Sequence, residues 1–301
     1  IANTQARAVR TISILLLTIL AMSGLSFVIG ATSFKLGLDL QGGTSVTLQP
    51  RIEDGQTGRV TAEAIERAIT PRSRVLLLNT PSNPTGAVLS EQEIDAIGDV
   101  CERHDLWIIC DEVYADMTYD APFCSPFDRK QLRHRTLAVS SISKSHALPG
   151  FRAGWVACPA EVTPRLVLVA EAMLFGSQPF IEDALVVALT EQHDEVQRMR
   201  VAYRERAQVL VEAINGSTAV SARMPEGGMF VMVDVRATKL SGEEFAWKLL
   251  DDHNIGVMPG ESFGKGGAGH VRIALTVEAQ VLRQACETIR TMAESLVAKA
   301  K

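Results

Sequence analysis

The stretch from residue 136 to residue 158 reads TLAVSSISKSHALPGFRAGWVAC and decides the fold predicted for this chain. Two runs of mainly apolar and small residues, Thr136–Ser140 and Ala153–Cys158, flank a segment rich in serine, glycine and proline. Short runs bounded by turn residues are typical of buried strands. The pattern predicts two strands, with Lys144 in the segment that joins them.

The same pattern continues upstream of this stretch. Val75–Leu78 and Trp107–Cys110 are short apolar runs that predict two more strands. Between them Ser90 and Glu93 form a capping box, which predicts the start of a helix. Strands that alternate with helices indicate an α/β fold, with a mostly parallel sheet and helices on both faces.

Beyond about His193 the pattern changes to that of a smaller α+β domain. The predicted elements are, in chain order, a helix at Asp194–Ile214, a strand at Met229–Val235, a helix capped by Ser241–Glu244, a strand at His270–Leu275 and a helix at Val277–Ala300. The predicted domains are therefore residues 58–192 and 193–301, preceded by a separate segment at residues 1–57.

Composition excludes several classes of protein. The 301 residues are 47% hydrophobic and carry a net charge of −5, without a run of Lys or Arg that would indicate a nucleic-acid partner. The five cysteines are scattered and form no CxxC pair, so neither a disulfide framework nor a zinc site is expected. A reducing compartment, the cytoplasm, fits this pattern best.

The N-terminal segment has a different character. Ile12–Gly30 contains no charged residue, and as a helix it would be about 28 Å long, close to the hydrocarbon thickness of a bilayer. Arg7 and Arg10 precede it, as expected for a span with a cytoplasmic N-terminus. We expect a single-pass anchor that contacts the membrane through residues 12–30. A signal peptide and a buried soluble helix are the alternatives.

The residues that follow add a resemblance. Lys35–Gln49 contains LGLDLQGG, and with the preceding apolar stretch it resembles the start of the protein-export membrane protein SecD over about residues 8–51. The polar segment Arg51–Gly58 is typical of a junction. The resemblance implies a fusion of two unrelated parts.

A second resemblance covers residues 58 to 301. It is carried by Asn83-Pro-Thr-Gly, Asp111-Glu-Val-Tyr114, Ser141-Ile-Ser-Lys144 and Arg152-Ala-Gly-Trp155. In order and spacing these motifs resemble the class I aminotransferases, which belong to the fold-type I enzymes that use pyridoxal 5′-phosphate (PLP). PLP requires a lysine that forms an imine and an acidic partner for its pyridine nitrogen.

The resemblance implies a role for each motif residue. Lys144 would form the Schiff base and move the Cα proton, while Ser141 and Arg152 would bind the phosphate. Ser143 fits a phosphate contact and a local hydrogen bond equally well. The Asp111 carboxylate would keep the ring nitrogen protonated, with Tyr114 donating to the ring oxygen O3′. Lys144, Asp111 and Tyr114 are thus the expected catalytic residues.

Asn83 would bind both cofactor and substrate, and Arg272 would bind the substrate. The residue matching Asn83 contacts the ring oxygen in the resembled family and lies near the substrate carboxylate. Arg272, within Gly269-His-Val-Arg-Ile-Ala-Leu275, matches the arginine that binds the α-carboxylate. No metal ligand is expected.

The implied activity is transfer of an amino group from an amino acid to a 2-oxo acid, by a homodimer. The alternatives are a PLP-dependent cysteine-conjugate β-lyase and a non-catalytic, membrane-tethered fusion remnant. Family members carry a long segment before the position of Asn83, with a phosphate-binding loop and an aromatic ring that stacks on the cofactor. The sequence before Asn83 lacks these motifs, which predicts a truncated fold-type I large domain and a weak or inactive enzyme.

Overall fold

The computed structural model describes residues 60–191 and 194–299. The predicted membrane span at Ile12–Gly30 and the SecD-like stretch at residues 8–51 lie outside the described residues. Within the described ranges, no helix combines the length and the apolar character that crossing a bilayer requires.

The first sheet contains the strands that the sequence predicts. It comprises β1 (Val75–Asn79), β2 (Trp107–Asp111), β3 (Thr136–Ser141) and β4 (Gly154–Ala157), in that spatial order. Strands β1, β2 and β3 are parallel, and β4 is antiparallel to β3. The prediction of a mostly parallel sheet is confirmed, and β4 makes it a mixed one.

The helices of the described residues are, in chain order, α1 (Ala62–Ala68), α2 (Glu91–Arg103), α3 (Ile142–Ser145), α4 (Thr163–Leu174), α5 (Pro179–Thr190), α6 (Asp194–Ile214), α7 (Gly242–His253) and α8 (Ala279–Lys299).

One face of the first sheet is covered. Helix α2 begins at the predicted capping box, since Ser90 accepts from the Glu93 amide and Glu93 accepts from the Ser90 amide. Its buried residues include Ile94 and Ile97, which pack with Ile65 of α1 and Ile108 of β2. Burying these side chains removes apolar area from water and fixes α1 and α2 on the sheet.

The opposite face of the first sheet is open at its edges. Val75 and Leu77 of β1 are 50% and 71% exposed, and Val156 of β4 is 42% exposed. Parallel sheets normally carry apolar cover on both faces. Within the described residues, helices α1 and α2 cover one face, as predicted. Cover of the other face by helices stays a prediction.

The second sheet is antiparallel and lies in the C-terminal part. It contains β5 (Ser221–Ala222), β6 (Phe230–Asp234), β7 (Met258–Pro259) and β8 (His270–Ala274), in the order β5-β6-β8-β7. Helices α6, α7 and α8 contribute buried residues to its core, including Leu210, Phe245 and Ile289. This is the α+β arrangement that the sequence predicts, whereas the domain boundary at residues 192 and 193 stays a prediction.

Candidate active site

The carboxyl ends of the three parallel strands form one edge, and the candidate residues follow directly from it. Asn79 pairs with Asp111, and Asp111 pairs with Val139, two residues before Ser141. The side-chain amide of Asn79 also donates to the Asp111 carbonyl at 3.3 Å. Ligands of open α/β sheets bind outside this edge. The strand register therefore gathers polar groups that lie far apart in sequence.

Asp111 and Tyr114 share a short loop after β2. The Asp111 carboxylate accepts from the Val113 amide at 3.2 Å, which orients it across the turn. Tyr114 is buried. Burial raises the pKa of its phenol, the charge of Arg272 opposes that rise and the charge of Asp111 adds to it. Tyr114 is thus electrostatically coupled to both of these candidate residues.

Lys144 lies on the short helix α3 that follows β3. Ser141 caps this helix, and its hydroxyl accepts from the Ser143 amide at 3.3 Å. Helix α3 also packs against the 3-10 turn Ala115–Met117 that follows Tyr114. Lys144 and the Asp111–Tyr114 loop therefore lie on neighbouring segments of one edge. The Ser143 backbone makes the hydrogen bond to the Ser141 hydroxyl, and the two alternatives for the Ser143 side chain stay predictions.

Arg152 returns to this edge through an unusual backbone conformation. Its φ of 53° lies in the left-handed region, and one guanidinium nitrogen donates to the Pro149 carbonyl at 2.9 Å. Gly154 then pairs with Ser141. A Cβ at Gly154 would lie 2.6 Å from the Ser140 carbonyl oxygen, so the two strands approach this closely only with glycine. The pairing brings the backbone two residues after Arg152 to the end of β3.

Asn83 and Arg272 join the two sheets. The Asn83 amide donates to the side chain of Asn79 at 2.7 Å, which ties its loop to the end of β1. Arg272, on β8, donates through Nη1 to Asn83 Oδ1, also at 2.7 Å. Nearby, the Tyr119 hydroxyl donates to the Gly228 carbonyl at 2.7 Å. The site is therefore built from both sheets.

Arg272 keeps donors for a further partner. Its Nε is buried and has no hydrogen-bond acceptor among the described residues. A buried donor without an acceptor is costly, and native structures usually satisfy it. An acceptor from outside the described residues, such as a carboxylate, would relieve this cost.

Two aromatic neighbours of Arg272 are absent from the residues that the sequence predicts for the site. The guanidinium carbon lies 3.9 Å from the ring centroid of Phe230 and 4.7 Å from that of Phe263. Phe230 also meets the ring of Tyr114 edge-on, at 6.1 Å between centroids. Phe230 ends the glycine-rich stretch 225–230, and Phe263 lies within the glycine-rich stretch 259–264. These two stretches are the sequence signal from which the two rings could have been predicted.

Glu112 is a second residue that the sequence argument passes over. It is buried, and its carboxylate accepts from the Ser125 hydroxyl at 2.7 Å. Burial raises the pKa of Glu112 to about 7, against the hydrogen bonds from Ser125 and Cys110, which lower it. A carboxyl group that is largely neutral at pH 6 therefore lies next to Asp111 in the chain.

The structure brings the predicted residues together to different degrees. Arg272 contacts Asn83 directly, and Tyr114 is coupled to Asp111 and Arg272. Ser141 pairs with Gly154, two residues after Arg152. Within residues 60–191 and 194–299, no hydrogen bond joins the Lys144 side chain to another candidate residue. His270 is buried, with Nδ1 3.0 Å from the Ala268 carbonyl oxygen.

Known proteins resemble this chain over most of its length. An arginine–pyruvate transaminase of Pseudomonas aeruginosa is 42% identical over 259 residues, which are 86% of this chain and 65% of that protein. An aspartate aminotransferase of Musicola paradisiaca is 32% identical over 233 residues, 77% of this chain and 58% of that protein. The chain thus spans less than two thirds of the length of these relatives.

Solved structures agree with the sequence comparisons. The aromatic aminotransferase of Pyrococcus horikoshii superposes with a TM-score of 0.77 at 30% identity, over 81% of this chain and 66% of that one. The aspartate aminotransferase of Rhizobium meliloti gives a TM-score of 0.74 at 29% identity, over 78% and 62%. The sequence model of the family "Aminotransferase class I and II" matches residues 12–289. The chain belongs to the class I and II aminotransferases, and it has their fold-type I α/β architecture.

Proposed function

We propose that this chain moves an amino group from an amino acid to a 2-oxo acid, with PLP as its cofactor. The observation that carries the proposal is the hydrogen bond of 2.7 Å between Arg272 and Asn83. It places a guanidinium with an unsatisfied donor beside the edge that bears Asp111, Tyr114 and Lys144. An amino acid and a 2-oxo acid share the carboxylate that such a guanidinium binds.

The donor set fits PLP group by group. Ser141 and Arg152 supply a hydroxyl and a guanidinium for the phosphate, and Ser141 pairs with Gly154, two residues after Arg152. Asp111 supplies a carboxylate for the pyridine nitrogen, and Tyr114 and Asn83 supply donors for the ring oxygen. Lys144 supplies the amine that attaches the cofactor. When bound, PLP draws electrons from the substrate Cα and accepts its amino group.

The chain's own residues then have distinct tasks. Arg272 binds the substrate carboxylate and so fixes which face of the Cα meets Lys144. The Lys144 amine takes the proton from the Cα of the donor amino acid. It later delivers a proton to the carbon of the 2-oxo acid that receives the amino group. Asp111, oriented by the Val113 amide, maintains the positive charge of the ring nitrogen.

We propose L-arginine as donor and pyruvate as acceptor for the first assays. The transaminase named for these two compounds is 42% identical to this chain, against 32% for the aspartate aminotransferase. The β-lyase alternative has no comparable support from these two relatives. The homodimer and the membrane contact at residues 12–30 stay predictions.

The attachment of PLP to Lys144 tests the proposal most directly. The chain is incubated with PLP, reduced with borohydride and digested, and the labelled peptide is sequenced. We expect the pyridoxyl group on Lys144, and Lys144→Ala should lose the label. Lys130, which lies in the same part of the chain, is the control position and should carry no label. A label on another lysine in the parent chain would contradict the assignment.

A further inference from the structure

The guanidinium of Arg272 contacts two aromatic rings that come from different elements. Phe230 begins β6, whose residue Met232 pairs with Arg272 itself, so the ring reaches Arg272 diagonally across the ladder. Phe263 ends the 3-10 turn Gly260–Phe263, outside either sheet. The distances to the ring centroids are 3.9 Å and 4.7 Å. Two separate segments thus converge on one cation.

The turn that carries Phe263 is firmly attached to its surroundings. The Glu261 carboxylate accepts from the backbone amides of Gly242 and Gly269, each at 2.9 Å. One amide begins α7, and the other directly precedes β8. At Gly260 a Cβ would lie 2.0 Å from the Gly267 carbonyl oxygen, so the backbones touch there. These contacts fix the position of the Phe263 ring relative to β8.

Aromatic contacts of this kind restrict a guanidinium without consuming its donors. The rings attract the positive charge through their faces, whereas the N–H groups point outward in the guanidinium plane. Binding a carboxylate then costs less conformational entropy, because the side chain is already held. The hydrogen bond from the Arg272 side chain to Asn83 orients the same group from a third direction.

We propose that Phe263, assisted by Phe230, is a positioning residue that holds the Arg272 guanidinium ready for the α-carboxylate of the substrate. The inference rests on the proposed function, because it assigns that carboxylate to Arg272. Phe263 is the better test of the two rings, since Phe230 also contacts Tyr114.

The experiment compares three variants with the parent chain, all loaded with PLP. Phe263→Leu removes the ring and keeps an apolar side chain, and Phe263→Tyr restores a ring. Phe245→Leu is the matched control, because Phe245 is fully buried in the core of the same part of the chain. Pyruvate binding is measured by calorimetry, KM and kcat are measured with L-arginine, and Tm is measured for each protein.

We expect Phe263→Leu to raise the pyruvate Kd and the KM about tenfold, equivalent to about 1.4 kcal/mol, while kcat changes much less. Phe263→Tyr should stay within about threefold of the parent chain. Phe245→Leu should lower Tm and leave Kd unchanged. Parent-like Kd and KM in Phe263→Leu would overturn the inference, and so would an equal rise in Kd in Phe245→Leu.

A second measurement separates this inference from the proposed function. With arginine labelled by ¹⁵N, the Arg272 signal is identified by its loss in Arg272→Lys. We expect a ring-current shift that Phe263→Leu reduces and Phe245→Leu keeps. A parent chain that binds neither pyruvate nor L-arginine contradicts the proposed function, even where this shift is present. An Arg272 signal that Phe263→Leu leaves unchanged contradicts the positioning role, whatever the activity.

Discussion

Asp111 shows at the scale of one residue how the fold prepares a functional group. Its place at the end of β2 and the hydrogen bond from the Val113 amide fix the carboxylate before any ligand binds. The sequence predicts Asp111 from its position after an apolar run and its spacing to Tyr114. Phe263 could not be predicted in this way, because its contact with Arg272 depends on a turn held by Glu261 and on the register of β8.

Replacing Asp111 by alanine should separate chemistry from cofactor binding. The phosphate contacts of Ser141 and Arg152 remain, so PLP should still bind, whereas the charge opposite the ring nitrogen is lost. We expect turnover of L-arginine to fall about 100-fold or more, as for other preorganised electrostatic groups. Stopped-flow turnover and PLP titration measure the two effects. Asp116→Ala, an exposed aspartate in the next turn, is the control. Turnover at the parent rate would exclude Asp111 from this role.

The raised pKa of Glu112 predicts that the stability of the folded chain depends on pH. Its pKa is about 7 in the folded chain and 4.5 as the reference value, so the folded state holds a proton that the unfolded state releases. Stability from this group is therefore complete below about pH 4.5 and is lost as the pH rises through about 7. The shift corresponds to a loss on the order of 3 kcal/mol. Glu112→Gln should avoid this loss.

Denaturant unfolding of the parent chain and Glu112→Gln at several pH values tests this dependence. The variant should gain stability relative to the parent chain between pH 5 and pH 8. Glu205→Gln, on α6 and exposed, controls for the change of charge. A difference between parent and Glu112→Gln that stays constant with pH would show that Glu112 does not titrate as described.

At the scale of elements, the sequence predicts most bounds to within two residues. The capping boxes at Ser90 and Ser241 mark where α2 and α7 begin, because each serine satisfies an amide that the first turn leaves free. Helix α6 spans the predicted Asp194–Ile214. The direction of β4 could not be predicted, since an apolar run does not reveal whether a strand pairs parallel or antiparallel.

The close approach of β3 and β4 at Gly154 leads to a prediction about stability and PLP binding. Gly154→Ala would press its Cβ against the Ser140 carbonyl and the Ser141 side chain, so the strands must separate near Ser141. We expect a loss of about 1–3 kcal/mol in stability and weaker PLP binding. Gly150→Ala is the matched control, because a Cβ there has no atom within 4 Å. Equal PLP affinity for the two variants would contradict the argument.

At the scale of the whole molecule, the site depends on two sheets of different topology. The parallel sheet supplies groups at one edge, and the antiparallel sheet supplies Arg272 through the contact with Asn83. The sequence motifs identify both groups of residues, but the contact spans 189 positions and is set by packing alone. Motif spacing therefore indicates which residues act together, and only the fold shows how they meet.

The open edge of the first sheet yields a prediction about stability. Leu77 and Leu78 are neighbours on β1, with exposures of 71% and 5%, because successive side chains of a strand point to opposite faces. Leu78→Ala should cost about 2–5 kcal/mol, since it leaves a cavity against α2. Leu77→Ala makes the same chemical change on the open face and should cost less than about 1 kcal/mol.

Urea unfolding of both variants, monitored by circular dichroism, measures the difference in stability loss between these two neighbouring positions of β1. The pair is internally matched, since both changes remove the same atoms from adjacent residues. A small loss for Leu77→Ala means that water contacts this face in solution, as in the structure. A loss as large as that of Leu78→Ala would mean that apolar material covers the face in solution. The sheet would then be buried on both sides, as its parallel strands lead one to expect.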